Sequence, residues 1–205
     1  MSKGKGPTYV VPFKRRRLGK TNYRKRLALI KSGLPRLVVR TSNKAVVVEL
    51  MEFKPIGDQV LAYAHSNELI KFGWPARRNL PTAYLTGLLC SLKFKRKSEK
   101  VGEKINRFVL DIGLSTANKN SICFSAMKGA IDAGLETNYD PEMIDESRIA
   151  GVHISEYAKK LKEADESLYR KRFSAYLNKG IRPEELTKLF ETVKRKITST
   201  LTTQQ

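Results

Sequence analysis

Acidic residues, cysteine, histidine and long apolar runs are all scarce in this chain. Its 205 residues include 20 Asp or Glu against 40 Lys or Arg, with only two Cys and two His. Cys90 and Cys123 form no CxxC pair, so they indicate neither a disulfide framework nor a zinc ribbon, and we expect two buried thiols. His65 and His153 lack Cys or carboxylate neighbours at ligand spacing. We therefore expect no metal site and no cofactor.

Apolar stretches are too short to suggest a membrane span. None approaches the ~18 residues that such a span needs, and the N-terminus has no apolar block typical of a secretory signal. Hydrophobic residues still make up 40% of the chain, which is enough for one core of ordinary domain size. We expect a soluble, intracellular protein.

The positive charge is concentrated at the N-terminal end. Residues 1–48 hold 14 Lys or Arg and no acid, since the first carboxylate is Glu49, whereas residues 111–150 hold three basic and seven acidic side chains. Like charges repel, so an unrelieved basic block indicates a polyanionic partner, and we expect nucleic acid. An anionic membrane surface is the alternative, but Pro7 and Pro12 interrupt the amphipathic helix that it would require.

Residues 1–33 are predicted to form a basic arm followed by a short helix. The arm has too few apolar residues for a core and is expected to be extended, with Tyr9 and Phe13 stacking on bases or packing on the protein itself.

The helix that follows the arm is predicted from its spacing of apolar residues. Thr21 is the candidate N-cap for a helix through Lys31. Tyr23, Leu27 and Ile30 recur on one face, so we expect this face to pack on the core while basic residues point outward.

Residues 34–137 are predicted to form an α/β core, a mixed β-sheet with the order βββαβα. Its first three strands are expected at 36–40, 45–53 and 59–65, with a polar hairpin loop at 41–44. A brief helix at 66–72 and a longer helix from Pro81 should follow. The remaining expected elements are a strand at 108–113, a helix capped by Ser121 and an edge strand at 135–137.

Residues 138–205 show only helical periodicity and are predicted to be a helical C-terminal extension. We expect these helices to wrap the sheet domain or to lie on a partner, because they lack apolar residues for a separate core. Their predicted bounds are 142–149, 152–163, 166–178 and 183–198.

The order of elements in the core is also that of ribonuclease H-like nucleases, so a structure-specific, metal-dependent nuclease is the alternative function. Such enzymes gather carboxylates from strand ends and a helix around two divalent metals. Here the first strand has no acid, and Asp111 on the fourth strand has no evident companion among Glu49, Glu52 and Asp132. We therefore expect the topology without its active site, with Asp111 hydrogen-bonding a loop or helix N-terminus.

Several segments, taken in order, resemble one known family. They are NYRKRL at 22–27, KSGLPRLVVR at 31–40, TSNK at 41–44, AH at 64–65, GW at 73–74, AYLTGLL at 83–89, LDIGL at 110–114 and KGAIDAGL at 128–135. The chain thereby resembles archaeal members of the large-subunit ribosomal protein family called L eighteen, whose eukaryotic counterpart is called L five.

That resemblance implies a function. It implies binding of 5S rRNA and its attachment to the large rRNA at the central protuberance, with neighbouring large-subunit ribosomal proteins as further partners. It also implies a cytoplasmic location in the large ribosomal subunit, without enzyme activity, membrane association or a small-molecule substrate.

The resemblance also indicates which side chains contact RNA. Arginines of the arm would cross RNA backbones, cations of the first helix would hold phosphates, and the hairpin would grip 5S rRNA, because Arg forks and short polar donors suit phosphate and ribose oxygens. Trp74 is expected either to stack on an RNA base or to fill a hydrophobic position over the sheet. Arg77 and Arg78 precede the N-terminus of a helix, where the helix dipole favours a phosphate. The predicted set is Lys14, Arg15, Arg16, Arg17, Lys20, Arg24, Lys25, Arg26, Arg36, Arg40, Ser42, Asn43, Lys44, Trp74, Arg77 and Arg78.

Overall fold

A four-stranded mixed β-sheet organises this computed structural model, which describes residues 6–101 and 106–202. Its spatial order is β3-β2-β1-β4, with β1 antiparallel to β2, β2 antiparallel to β3 and β1 parallel to β4. The predicted mixed α/β class is confirmed. The strands are β1 Arg36–Thr41, β2 Val46–Glu52, β3 Gln59–His65 and β4 Val109–Asp111.

Helices precede the sheet, interrupt it and follow it along the chain. The α-helices of the described ranges are α1 Lys14–Arg17, α2 Tyr23–Lys31, α3 Leu80–Val101, α4 Ile122–Asp132, α5 Glu146–Ile149, α6 Val152–Ala164, α7 Glu166–Leu177 and α8 Leu186–Thr202. Short 3₁₀ segments lie at Ser66–Phe72, Pro141–Met143 and Pro183–Glu185. The predicted edge strand at 135–137 is reduced to a single parallel bridge between Arg107 and Glu136.

The main core lies between one face of the sheet and helices α3 and α4. Strand residues alternate between faces, and Leu37, Val48 and Leu50 are almost completely buried on the helix-covered face. Both cysteines are buried as predicted, and burial raises the pKa of the Cys90 thiol to about 12.

Two glycines let helices α3 and α4 touch backbone to backbone. A Cβ atom built on Gly87 would lie 2.1 Å from the carbonyl oxygen of Ala126, and one on Gly129 would lie 2.2 Å from the carbonyl oxygen of Tyr84. Real Cβ contacts are never so short, so glycine is required at both positions for this helix separation.

Helix α8 closes the other side of α3. Its buried face carries Phe190, whose ring centroid lies 6.1 Å from that of Trp74 and 5.4 Å from that of Tyr84. The C-terminal helices therefore wrap the sheet domain, one of the two arrangements expected. Helices α6 and α7 add a small cluster of their own around Tyr169 and Phe173.

The outer edge of β3 is covered by lysines of α3. Lys93 Nζ donates to the carbonyl oxygen of Tyr63 and Lys97 Nζ to that of Leu61, each at 3.2 Å. These lysines are one helical turn apart, and the two carbonyls are two residues apart on the strand. Cationic side chains thus occupy acceptors that an edge strand would otherwise leave open.

Candidate nucleic-acid interface

A basic groove of about 820 Å³ lies between the N-terminal helices and the face of the sheet that α3 and α4 leave free. Six Lys or Arg side chains line it, together with the carboxylates of Glu49, Asp58 and Asp111. The lining cations are Arg15, Lys20, Lys25, Arg26, Arg36 and Arg40. The fold thus brings predicted RNA-contacting residues of the arm, of α2 and of β1 to one place.

Helix α2 begins one residue later than expected. Asn22 is its N-cap, because the Asn22 Oδ1 atom accepts hydrogen bonds from the backbone N–H groups of Arg24 and Lys25 at 3.1 and 3.2 Å. The prediction of Thr21 was wrong, although both residue types can cap a helix. The Thr21 hydroxyl instead accepts a hydrogen bond from Arg15 Nε at 2.8 Å, which ties the arm to the start of the helix.

The predicted burial of the Tyr23, Leu27 and Ile30 face is also wrong. Helix α2 has no buried residue, and Leu27 is 55% exposed. The helix instead turns Arg26 and Leu29 toward the groove, and Arg26 Nη2 lies 2.9 Å from Asp58 Oδ2. An ion pair therefore joins α2 to the sheet.

The arm is helical for one turn rather than extended throughout. Lys14–Arg17 forms α1, and all four of its side chains are exposed. The Phe13 ring centroid lies 5.2 Å from that of Tyr23, but Phe13 is 71% exposed, so most of its surface is accessible to a partner as well.

Arg36 is a correction to the predicted contact set. Its side chain is only 3% exposed, with Nη2 2.6 Å from Asp58 Oδ2 and Nη1 3.0 Å from Asp111 Oδ2. The guanidinium therefore neutralises two carboxylates inside the protein and is not presented to a partner. Arg36 Nε and Asp58 Oδ1 are buried without hydrogen-bond partners within the described residues.

Asp111 confirms its predicted role and has a second one that the sequence did not reveal. Its Oδ1 accepts a hydrogen bond from the backbone N–H of Gly113 at 2.8 Å, which fixes the loop after β4. The same carboxylate holds Arg36 and, through Oδ1 at 3.3 Å, Arg40. Guanidinium groups thus lie against both oxygens of this carboxylate, and no three metal-ligating side chains cluster within residues 6–101 and 106–202.

Arg40 belongs to both the network and the surface. Its side chain is 48% exposed, and Nη1 donates to the carbonyl oxygens of Val39 and Asp111 at 2.9 and 3.1 Å. These bonds hold the side chain at the groove wall with a large part of it open to solvent.

The hairpin loop that follows β1 is exposed as the predicted contacts require. Ser42, Asn43 and Lys44 are all exposed. Ser42 also builds the loop, since its hydroxyl accepts a hydrogen bond from the N–H of Ala45 at 3.0 Å and its own N–H donates to the Ala45 carbonyl at 2.9 Å.

Trp74 is a second correction. The side chain is 1% exposed, and Nε1 donates to Thr82 Oγ1 at 2.8 Å. Of the two roles considered, Trp74 therefore has the hydrophobic one, because its buried indole has no surface on which a base could stack. Arg78 is exposed and Arg77 partly buried, while the Asn79 side chain already caps α3 by accepting from the Thr82 N–H at 3.0 Å.

Comparison with known proteins shows the family to which this chain is similar. Residues 7–105 match the family described as "Ribosomal large subunit proteins 60S L5, and 50S L18". The chain is also 47% identical over 199 residues to the large ribosomal subunit protein uL18 of Thermofilum pendens, covering 96% of this chain and 98% of that protein.

This chain belongs to the L18/L5 family. Family membership makes it a structural component of the large ribosomal subunit and not an enzyme. All of the predicted contact positions lie within the part that matches the family. In the described part of the chain, no helix is both long and apolar enough to cross a membrane.

Proposed function

We propose that this L18/L5 protein binds 5S rRNA and attaches it to the large rRNA at the central protuberance, through electrostatic contacts with phosphates and through shape. The observation that carries the proposal is the basic groove, where cations of α1, α2 and β1 converge on the free face of the sheet. Family membership supports the class of partner.

The supply of uncompensated charge fits a polyanion. Residues 6–48 contain twelve Lys or Arg and no acid. Three of these side chains, Arg26, Arg36 and Arg40, pair with carboxylates of the described residues, and the other nine do not. Nine cations can neutralise a similar number of phosphates and release their counterions.

The proposed contact residues are the exposed members of the predicted set, without the buried Arg36 and Trp74. We assign phosphates to the arm, α2 and Arg40, and ribose or phosphate oxygens to the hairpin loop. They are Lys14, Arg15, Arg16, Arg17, Lys20, Arg24, Lys25, Arg26, Arg40, Ser42, Asn43, Lys44, Arg77 and Arg78.

We further infer a division of labour along the chain. Residues 1–33 form an arm for crowded rRNA junctions, residues 34–137 form the 5S rRNA-binding core, and residues 138–205 brace that core. We assign the core a ribonuclease H-like topology, supported by the strand order β3-β2-β1-β4. On the first strand of the core, Arg36 and Arg40 lie on either side of Val38 on the face toward the basic groove. A ribonuclease H-like nuclease needs acidic side chains on this strand.

A salt titration of 5S rRNA binding tests the electrostatic part of the proposal. If six to ten phosphates are neutralised, affinity falls by roughly 10³ to 10⁵ between 50 and 200 mM salt. The protein should also prefer 5S rRNA to tRNA of similar charge at physiological salt. A nearly flat salt dependence, or equal affinity for both RNAs, contradicts the proposal.

Neutralising α1 tests where the phosphates lie. Replacing Lys14, Arg15, Arg16 and Arg17 together by Gln should reduce the slope of log affinity against log salt by up to about four. The matched control removes four exposed cations from α6, α7 and the turn after α7, by Lys159→Gln, Lys160→Gln, Lys171→Gln and Lys179→Gln. Equal loss in both variants would indicate a general charge effect without a defined interface.

Deletion of residues 1–20 tests the role of the arm. The deletion should weaken incorporation into large subunits more than it weakens binding to isolated 5S rRNA, because a basic arm with few core contacts suits a crowded RNA junction. Equal loss in the two assays contradicts this division.

A further inference from the structure

A second groove, of about 470 Å³, lies at the free edge of β4. Its walls are β4 and its following loop, α4, and the chain at 136–143. The lining is largely apolar and half-buried, with Leu110, Ile112, Phe124 and Tyr139 packed against the core on one side and open to the groove on the other. Apolar side chains arranged along a cleft form a surface for a ligand with apolar side chains of its own.

The backbone beside this groove has an unfinished hydrogen-bond ladder. Glu136 pairs with the start of the strand, donating its N–H to the Asn106 carbonyl at 2.7 Å and accepting from the Phe108 N–H at 3.0 Å. The ladder then stops. Val109 and Asp111 pair with β1, so the N–H and C=O of Leu110 point away from the sheet, and no hydrogen bond within the described residues reaches them.

The opposite edge of the sheet shows the contrast. Lys93 and Lys97 occupy carbonyls of β3, as described above, whereas the β4 edge has no such cover in the described part of the chain. The sheet therefore has one closed edge and one edge on which a further strand can continue an existing ladder.

The charge around the groove identifies the kind of strand that fits. Residues 129–147 contain six carboxylates and no Lys or Arg, which is the reverse of the N-terminal segment. Glu136 and Asp140 line the groove, and the one cation in its lining, Arg107, lies with Nε 3.9 Å from Glu136 Oε2. A polyanion would be repelled here, while a cationic polypeptide would be attracted.

We propose that this groove binds an extended, Lys- or Arg-bearing segment of a neighbouring protein in the large subunit. The segment adds to the sheet beside Leu110 as a further strand. Side chains alternate along a strand, so apolar residues of the segment enter the cleft near Phe124 and Tyr139 while its cations face Glu136 and Asp140. This inference depends on family membership and is independent of the proposed contacts with 5S rRNA.

Site-specific photocrosslinking in purified large subunits tests the occupant. A benzoylphenylalanine introduced at Ala117, an exposed residue of the groove lining, is compared with one at Asn118, which is exposed outside the lining. We expect position 117 to crosslink to a peptide of another protein with net positive charge, and position 118 to crosslink to that peptide far less. A crosslink to rRNA, a crosslink to this chain's own arm, or no crosslink at position 117 overturns the proposal.

Peptide binding to the free, full-length chain tests the chemistry. The probes are an eight-residue peptide of alternating Lys and Val and its Glu–Val counterpart, measured by fluorescence anisotropy. The Lys–Val peptide should bind the more tightly, and Ala117→Trp, or Glu136→Lys with Asp140→Lys, should weaken it about tenfold or more. Asn118→Trp should leave the affinity unchanged.

Two results would overturn the proposal in this assay: equal binding of the two peptides, and equal binding by the Ala117→Trp and Asn118→Trp variants. Affinity for 5S rRNA is measured on the same variants and should not change. Loss of peptide binding with intact RNA binding, or the reverse, therefore separates this groove from the proposed RNA interface.

Discussion

At the scale of single residues, burial separates two kinds of arginine on the free face of the sheet. Arg36 is 3% exposed and spans two carboxylates, while Arg40 is 48% exposed and shares one of them. A buried charge that loses its partner has no water to replace it, whereas a half-exposed one does. The same residue type therefore stabilises the fold at one position and is available to a ligand at the other.

This difference predicts unequal effects of two matched substitutions. Arg36→Ala should lower the free energy of unfolding by about 3 kcal/mol, because Asp58 and Asp111 would each lose their buried partner and keep only one more exposed arginine, Arg26 or Arg40. Arg40→Ala should lower it by less than about 1 kcal/mol. Urea unfolding measures both.

RNA affinity should follow the opposite order. At a temperature where both variants are folded, Arg40→Ala should weaken 5S rRNA binding and Arg36→Ala should leave it unchanged. A fully stable Arg36→Ala protein with reduced RNA affinity would show that Arg36 contacts RNA after all.

Trp74 offers a second prediction at this scale because it is the single tryptophan of the chain. Its indole is 1% exposed and hydrogen-bonded to Thr82. Fluorescence emission should therefore be blue-shifted, resist quenching by acrylamide and stay unchanged when 5S rRNA is added. Strong quenching by RNA would mean that a base stacks on this ring.

At the scale of elements, the contact between α3 and α4 is the least tolerant junction of the fold. The carbonyl oxygen of Tyr84 occupies the place where a side chain of residue 129 would begin. Backbone cannot give way as the end of a flexible side chain can, so any enlargement must separate the helices.

Gly129→Ala should therefore destabilise the protein by about 3 kcal/mol, the upper part of the range for overpacked cores, even though alanine is the better helix former. Thermal and urea unfolding provide the measurement. Thr192→Ala, on the exposed side of α8, is the control and should change stability by no more than about 0.5 kcal/mol. An unchanged or raised stability of Gly129→Ala would mean that the helices lie further apart.

The sequence predicts elements well where local rules decide them. β3 at 59–65, the short helix at 66–72 and the Ser121 cap of α4 all lie where expected. Alternation, glycine stops and capping residues act over a few positions, so one segment contains the whole signal. The cap of α2 is one residue off the prediction, because Thr21 and Asn22 are both residue types that cap helices and the pattern does not choose between them.

The candidate site was predicted less completely because its ion pairs are non-local. Arg36 meets Asp58 and Asp111, which lie 22 and 75 residues away along the chain. Charge count alone makes Arg36 look like any other basic residue of the N-terminal segment. A useful signal was present in the flanking residues, since Arg36 begins a strand whose next three residues are apolar.

At the scale of the whole molecule, several titratable groups favour stability at neutral pH. Burial and the nearby charge of Arg148 lower the pKa of His153 below its ordinary 6.5. For Glu68, burial acts to raise the pKa, but the ammonium of Lys93 and the N–H of His65 outweigh it and hold the pKa below 4.5. In each case the unfolded chain binds protons more readily than the folded one.

Stability should therefore fall as the pH is lowered. The contribution of His153 is fully present above pH 6.5 and is lost as the pH falls below that value; the contribution of Glu68 is lost below pH 4.5. Melting temperatures measured from pH 7 to pH 4 should decrease throughout. His153→Gln should flatten the decrease near pH 6.5 and leave the decrease below pH 5 unchanged. A profile identical to that of the unmodified protein would show that His153 does not contribute.

The two lysines at the outer edge of β3 affect how copies of the chain that are not bound to RNA can associate with one another. An uncovered strand edge is a template on which identical molecules can polymerise. Lys93 and Lys97 occupy two carbonyl acceptors of the β3 edge, and they place positive charge where a second copy of the chain would approach. The β3 edge that they cover is seven residues long, whereas the opposite edge, along β4, is only three, so the lysines lie on the longer template. We therefore expect the lysines to disfavour edge-to-edge association through β3 in the free protein.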